Sequence, residues 1–247
     1  MTKRIPEPIL WTFLLVAISF LLYVGYFAVS GDVHETFLAW LGNLAFIPFE
    51  LLLLTIIVDQ LLRTRERRAL RRKLNMIIGA FFSEIGLELI KSISKTDVHA
   101  EENRKHFDIE HDWTEHEFRR ATGRLDIANY EIDARLMDLD ALRAFFDAKR
   151  SFLLRLIENP SILEHGPITD LIWAVFHIAE ELSYRSGVDT LPESDYEHLA
   201  GDLRRAYILL VREWLVYLKH LKESYPYLFS LALRLDPFDE EASAVVH

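Results

Sequence analysis

The sequence predicts an all-α protein in which a two-helix transmembrane hairpin is followed by a cytosolic helical bundle. Two apolar stretches near the N-terminus are each long enough to cross a membrane. Beyond them, apolar residues recur at the three- and four-residue spacings of amphipathic helices, and no segment with the two-residue period of a strand stands out. We therefore expect a transmembrane hairpin over residues 1–63 and an acidic, cytosolic helical domain over residues 64–247.

The first apolar stretch, Pro8–Gly31, contains no charged residue over 24 positions. A helix needs about 20 mostly apolar residues to cross a hydrocarbon core of about 30 Å. The basic start MTKR and the small residues Ala28–Ser30 also fit a secretory signal. Because the apolar region of such a signal has only about 7–15 residues, we favour an uncleaved span over residues 8–30.

The second apolar stretch, Thr36–Val58, carries Glu50 as its only charged residue and predicts a span over about residues 37–62. A charge at mid-bilayer costs about 2.5–3.5 kcal/mol, which neighbouring leucines and isoleucines offset at about 0.3–0.6 kcal/mol each. Two positions of Glu50 remain open. A helix that begins near Thr36 places Glu50 near mid-bilayer, whereas a helix with Pro48 in its first turn places it at the outer mouth.

The distribution of basic residues predicts the orientation of the hairpin. Lys3 and Arg4 precede the first span, whereas the loop GDVHET between the spans contains no lysine or arginine. Because cytoplasmic segments carry an excess of these residues, we expect a multi-pass protein of a prokaryotic plasma membrane with both termini in the cytoplasm. The basic cluster after the second span would contact anionic lipid headgroups. It consists of Arg63, Arg65, Arg67, Arg68, Arg71, Arg72 and Lys73.

Charge and cysteine content exclude several functions. Residues 1–73 hold 9 basic and 6 acidic side chains. The remaining 174 residues hold 19 basic and 32 acidic side chains, which gives them a net charge of −13. Because nucleic acids require a positively charged protein surface, we expect no nucleic-acid partner. The absence of cysteine excludes disulfides, thiolate zinc sites and cysteine nucleophiles. The sequence also lacks glycine-rich phosphate-binding loops and the HExxH and GxSxG motifs.

The helices of the acidic domain are predicted from apolar spacing and from capping residues. The first continues from the second span through residues 69–93, either as a rod into the cytoplasm or as a buried packing helix. Residues 95–112 predict a polar loop, and Thr114 with Glu117 predicts a capping box. Further helices, with caps at Thr169 and Thr190, complete a bundle of about five. They are predicted over residues 138–160, 168–187, 196–224 and 227–234.

Glu50 and Asp59 are the candidate residues of an ion path. A carboxylate within the membrane tends to face water or a partner, and two helices alone cannot enclose a polar path. Homo-oligomerisation would gather one Glu50 from each copy into a ring, as in many cation pores. The alternative is a protonated Glu50 that hydrogen-bonds a neighbouring helix. Asp59 either forms a second ring or pairs with Arg63, four residues later.

His177, Glu180 and Glu181 are the candidate ligands of a divalent cation. They share one face of a predicted helix, where side chains three and four residues apart converge. A metal needs more ligands, and the alternative is a polar face at a subunit interface or in solvent. Residues 106–116 are rich in histidine and carboxylates without metal-site spacing, so they predict a solvated acidic loop. Guesses at further ligands are His165, Asp195 and His198.

The leading functional hypothesis is an oligomeric, channel-like cation pore without enzymatic activity, in which Glu50 lines the path and the cytosolic bundle assembles or gates it. Its partners would be the lipid bilayer, inorganic cations and further copies of the chain. An alternative is a membrane-anchored scaffold or regulator whose hairpin only holds the bundle at the membrane. A third hypothesis is a metal-dependent membrane enzyme built around His177.

Overall fold

The computed structural model describes residues 7–105, 107, 109–125, 127–188, 190–239 and 241–245. Side chains are described from residue 17 onward, except at positions 30, 67–69, 71 and 72. Two compact units divide the chain, Met1–Arg67 and Arg68–His247. The predicted all-α class is confirmed, because within the described ranges both units are helical and the only β-type pairing is an isolated bridge between Asp97 and Ile132.

Two helices form the N-terminal unit, α1 (Glu7–Ser30) and the first part of α2 (Val33–Phe81). Gly31 turns the chain between them with a φ of +66°, a left-handed conformation that glycine adopts at low cost. The Asp32 carboxylate then accepts a hydrogen bond of 2.7 Å from the backbone N–H of His34. Asp32 thereby satisfies one of the free N–H groups at the start of α2.

Most apolar side chains described in the N-terminal unit are exposed. The segment Val33–Glu66 of α2 is long and apolar enough to cross a membrane, and none of its most apolar window is buried. The apolar segment described in α1, Ala17–Val29, is shorter. Asn43 of α2 donates a hydrogen bond of 2.8 Å to the Tyr23 hydroxyl of α1. Since one segment alone among the described residues meets the criteria for a span, the two-helix transmembrane hairpin stays a prediction.

Helix α2 continues without a break to Phe81, and one face of its last two turns is buried, at Leu74, Ile78 and Phe81. A π turn, Phe82–Gly86, then leads into α3 (Leu87–Ser94). Any Cβ added at Gly86 would overlap the Phe82 ring, so this position requires glycine for the ring to pack. The end of α2 therefore packs one face into the core of the C-terminal unit, whereas a role of the unbroken helix as a coupling rod stays a prediction.

Helix α9 lies at the centre of the C-terminal unit. It packs against α3, α5, α8 and α10, and α8 packs in turn against α6. Its buried residues recur at helical spacing and form one continuous core with those of its neighbours. The remaining helices are α4 (Ala100–Arg104), α5 (Glu115–Leu125), α6 (Leu139–Ile157), α7 (Pro160–Leu163), α8 (Gly166–Tyr184), α9 (Glu193–Ser224) and α10 (Pro226–Arg234).

Half of the predicted capping box forms at the start of α5. The Glu117 carboxylate accepts a hydrogen bond from the backbone N–H of Thr114. The Thr114 hydroxyl donates to the same carboxylate at 2.8 Å, and the backbone N–H of Glu117 donates to the Thr114 carbonyl at 3.1 Å instead of to the hydroxyl. The backbone hydrogen bond, followed by the hydroxyl, lowers the pKa of Glu117.

Three local predictions are wrong. The segment 95–112, predicted as a loop, contains the short helix α4. Thr169 lies inside α8 and its hydroxyl donates to the Ile162 carbonyl at 2.7 Å. Helix α9 begins at Glu193 without a side-chain cap, so Thr190 has no capping role. Helices α8 and α9 each begin next to a proline, Pro167 and Pro192. The fixed φ of proline favours the first helical turn without a side-chain cap.

Glu213 of α9 is buried, and loss of hydration raises the pKa of its carboxyl. An acid with a raised pKa in the folded state favours folding only while protonated, so stability falls as the pH rises through that pKa. We expect Glu213→Gln to raise the Tm at pH 7 by about 2–4 °C, and this gain to shrink toward pH 4. Thermal unfolding of the full chain in detergent, followed by circular dichroism, measures it. Glu197→Gln, exposed on the same helix, is the control, and a gain that does not vary with pH would contradict the prediction.

Candidate metal centre

Two neighbouring helices each present a histidine and an acidic residue four positions apart. Helix α8 carries His177 and Glu181, and α9 carries His198 and Asp202. Side chains at this spacing lie on the same face of a helix. Since His177 contacts Asp202 and His198 contacts Glu181, the helices run antiparallel and bring both pairs together.

Asp202 lies at the centre of this cluster. Its Oδ2 atom is 3.2 Å from Nε2 of His177 and 3.4 Å from Nε2 of His198. Its Oδ1 atom accepts a hydrogen bond from the Arg205 guanidinium, which fixes the orientation of the carboxylate. The Glu181 carboxylate is 3.9 Å from each of the same two nitrogens. One ligand atom from each of the two histidines and Asp202 lies within 4.8 Å of the other two.

The Asp202 side chain is buried, whereas the His177 and His198 side chains are 42% and 52% exposed. Its Oδ2 atom accepts no hydrogen bond of good geometry from the described residues, but it lies at ion-pair distance from both imidazole nitrogens. A buried carboxylate oxygen costs about 1–3 kcal/mol unless a protonated imidazole or a cation is paired with it. A cation placed between the three atoms would remove this cost, because it accepts electron pairs from the oxygen and both nitrogens.

An ion-pair network fixes the edge of the cluster. Arg185 binds the Glu181 Oε2 atom at 2.7 Å and forms a two-pronged ion pair with Asp195 at 2.7 and 2.9 Å. The hydrogen bond from Arg185 lowers the pKa of both carboxyls. Glu181 is therefore ionised at neutral pH, with its Oε1 atom directed toward His177. It adds negative charge beside a bound cation and offers a further oxygen.

Two of the three distances between the ligand atoms fit a tetrahedral transition-metal ion, and the third, between the imidazoles, is no more than 4.8 Å. Zinc binds imidazole nitrogen at about 2.0–2.1 Å and carboxylate oxygen at about 2.0–2.2 Å, so two neighbouring ligands lie about 3.3 Å apart. The two separations from Asp202 to the histidines are 3.2 and 3.4 Å. Sets of two histidines and one carboxylate hold zinc or non-haem iron. Three protein ligands would leave at least one position of a tetrahedral ion free for water or a further ligand.

The structure brings together two of the three predicted metal ligands, His177 and Glu181. Glu180 lies about 100° around α8 from Glu181. It forms an ion pair with Arg150 of α6 and not with the histidines of the cluster. It is therefore not a ligand of this cluster, because its carboxylate points to a different helix.

Among the guessed ligands, His198 belongs to the cluster, whereas Asp195 is bound to Arg185 and His165 precedes α8. Asp202 is the residue that sequence reasoning missed. A signal for it exists, because His198 and Asp202 repeat on α9 the four-residue spacing of the first pair.

The acidic segment 106–116 forms no metal cluster among its described residues. Glu115 forms an ion pair of 2.8 Å with Lys219, and this hydrogen bond lowers the pKa of its carboxyl. His106 and Asp108 lie outside the described residues.

Glu50, the candidate residue of an ion path, is exposed at the middle of the segment Val33–Glu66. Pro48 lies inside α2, so the arrangement in which Pro48 opens the helix does not form. Asp59 accepts a hydrogen bond of 2.8 Å from Arg63, which is the predicted ion pair. In the basic cluster, Arg63, Arg65 and Lys73 are exposed, and the side chains of Arg67, Arg68, Arg71 and Arg72 lie outside those described.

The fold defines an all-α protein with a helical N-terminal domain and a helical C-terminal domain. The chain matches two family models, described as the C-terminal helical domain of the uncharacterized protein MJ1433, over residues 70–234, and the N-terminal helical domain of MJ1433, over residues 3–62. The uncharacterized protein MJ1433 of Methanocaldococcus jannaschii is 40% identical over 228 residues, which cover 92% of each chain. The chain therefore belongs to the MJ1433 family. No solved structure matches it.

Proposed function

We propose that this protein is a membrane-anchored metalloprotein whose C-terminal domain binds one divalent transition-metal ion through His177, His198 and Asp202. The observation that carries the proposal is the buried Oδ2 atom of Asp202. It accepts no hydrogen bond of good geometry from the described residues, and it lies at ion-pair distance, 3.2 and 3.4 Å, from the two imidazole nitrogens. A cation among these atoms neutralises the carboxylate and uses both imidazoles as ligands.

Zinc is the ion that the cluster fits best. The cluster offers nitrogen and oxygen ligands, and the two separations from Asp202 to the histidines match the edges of a tetrahedral zinc site. Arg205 holds the second oxygen of Asp202, in the role that outer hydrogen-bond partners have at metal sites. Three protein ligands with an open position are typical of catalytic zinc sites, and this favours the metal-dependent enzyme among the three functional hypotheses.

The N-terminal helices supply the membrane anchor in this proposal. The apolar surface of Val33–Glu66 is unburied, and lipid is the partner that its length and composition fit. The Asn43–Tyr23 hydrogen bond supports a hairpin in which α1 enters the bilayer beside α2. The basic residues after the segment favour a cytoplasmic position for the C-terminal domain.

Metal analysis of the purified full-length protein tests this proposal. The protein is stripped with a chelator in detergent, dialysed against zinc and analysed for bound metal. We expect one zinc ion per chain, and the same stoichiometry in His116→Ala, which removes an exposed histidine outside the cluster. Zinc content no higher than that of the dialysis buffer would contradict the proposal.

Glu50 favours a second candidate function, the oligomeric cation pore. Its carboxylate is exposed at the middle of the apolar segment, where only a polar partner or water offsets the cost of the charge. In liposomes, we expect the wild type to pass cations and Glu50→Gln to lose about 90% of the flux, because the ring loses its charge. Glu66→Gln, at the end of the segment, is the matched control. Equal flux in Glu50→Gln and the wild type rules out a Glu50 ring, and a wild type without flux leaves the hairpin as an anchor.

A further inference from the structure

We propose that the open side of the metal binds a phosphate group, which bridges the metal and the Arg205 guanidinium, while the organic part of the ligand lies against Trp173. This inference rests on the proposed metal site. It adds the class of molecule that binds there, a phosphate monoester with an apolar or aromatic group.

A surface cleft adjoins the metal cluster along α8 and α9. His177 belongs to both the cluster and the cleft wall, and Arg205 contacts Asp202 while it also lines the cleft. A ligand in the cleft would therefore lie beside the metal cluster, next to His177 and Arg205. The cleft is lined by Asp170, Trp173, Ala174, His177, Arg205 and Leu209.

The two ends of the cleft differ in charge. Asp170 and His177 are seven residues apart, or about 10 Å along α8. Because α9 runs antiparallel to α8, Arg205 lies toward the His177 end and Leu209 toward the Asp170 end. One end thus combines a divalent metal and the Arg205 guanidinium with the carboxylates of Asp202 and Glu181, a net charge of about +1, and the other carries the Asp170 carboxylate. An anionic group is attracted to the metal end and repelled from the Asp170 end, which fixes the direction in which a ligand binds.

Arg205 has hydrogen-bonding capacity left for a ligand. Its Nη2 atom donates to Asp202, and 57% of its side chain is exposed. A guanidinium offers five N–H donors in a planar fork that matches phosphate oxygens. A phosphate has enough oxygens to place one on the metal and others on Arg205, whereas a carboxylate has only two for both partners.

Trp173 forms the apolar wall between the two ends. Its side chain is 49% exposed, and its ring lies edge-on to Phe176 with 5.9 Å between the centroids. A tryptophan held in place with half of its surface free offers contact area to an apolar or aromatic group. The wall therefore favours an organic phosphate over inorganic phosphate.

Cobalt-loaded full-length protein in detergent provides the test, because the visible absorption of cobalt responds when its ligands change. The metal affinity of each variant is measured first, and phosphate, phenyl phosphate or benzoate is then added at cobalt saturation. We expect both phosphates to change the spectrum, with phenyl phosphate binding about 3–10-fold more tightly than phosphate. Arg205→Gln is expected to weaken both about 10-fold or more. Arg204→Gln, an exposed neighbour outside the cleft, is the control and should bind like the wild type.

Trp173→Ala separates the two parts of the inference. It should bind inorganic phosphate like the wild type and lose the preference for phenyl phosphate. Bound cobalt whose spectrum responds to neither phosphate would overturn this inference and leave the metal site intact. Equal binding in Arg205→Gln and Arg204→Gln, or benzoate as tight as phenyl phosphate, would also overturn it. Failure of the protein to bind cobalt would overturn both the ligand and the metal site.

Discussion

Asp202→Asn is expected to lower the affinity for zinc about 100-fold or more, because it removes the charged ligand oxygen at the centre of the cluster. Asparagine has the same shape and its carbonyl oxygen can still accept the hydrogen bond from Arg205, so the fold should be retained. His198→Ala should cause a similar loss, since it removes one of the two imidazoles. Equilibrium dialysis against a zinc buffer measures the affinity of each full-length variant.

Asp147→Asn is the matched control for these variants, because Asp147 is exposed on α6, outside the cluster. Zinc at 100 times its Kd should stabilise the wild type and Asp147→Asn by about 2.7 kcal/mol, which corresponds to about 5–10 °C in Tm. Asp202→Asn should show no such increase at the same zinc concentration. A wild-type increase in Tm that persists in both Asp202→Asn and His198→Ala would place the bound zinc elsewhere.

Phe82→Ala is expected to lower the free energy of unfolding by about 3–5 kcal/mol, the largest effect on stability predicted here. The Phe82 side chain is 1% exposed. Its ring centroid lies 5.1 Å from that of Trp214 and 5.9 Å from that of Tyr217, and the ring also packs on Gly86. Alanine would leave a cavity where the π turn meets α9.

Denaturant unfolding of the full chain in detergent, followed by tryptophan fluorescence, measures this loss. Tyr184→Ala is the control, because Tyr184 is 82% exposed at the end of α8 and its removal should change stability by about 0.5 kcal/mol or less. Similar losses in the two variants would show that the π turn does not depend on the packing of Phe82.

Much of the fold is predictable from the sequence because it follows from local spacing. Apolar residues at helical period place α6, α8, α9 and α10 within a few residues of their observed positions. Helix α4 is not predictable in this way, since its five residues carry no apolar period. Its position depends instead on the Asn103 amide, which donates to the nearby buried Asp97 carboxylate at 2.7 Å and, across the fold, to the Asn129 carbonyl at 3.0 Å.

The candidate metal centre is predictable only in part, for a similar reason. His177 and Glu181 are found because they are four residues apart on one helix. Asp202 lies 25 positions beyond His177, and their contact depends on the register in which α8 and α9 pack. Glu180 and Glu181 are equally plausible ligands in the sequence, and only the position of α6 assigns Glu180 to Arg150.

X-ray absorption at the zinc edge of the zinc-loaded, full-length protein tests the central claim most directly. The account predicts two imidazole nitrogens and at least one oxygen at about 2.0–2.2 Å from the metal. His198→Ala, loaded at a zinc concentration high enough to fill the weakened site, should lose one of the two imidazole signals. A spectrum with fewer than two imidazoles in the wild type, or one unchanged by His198→Ala, would contradict the assignment of this cluster as a metal site.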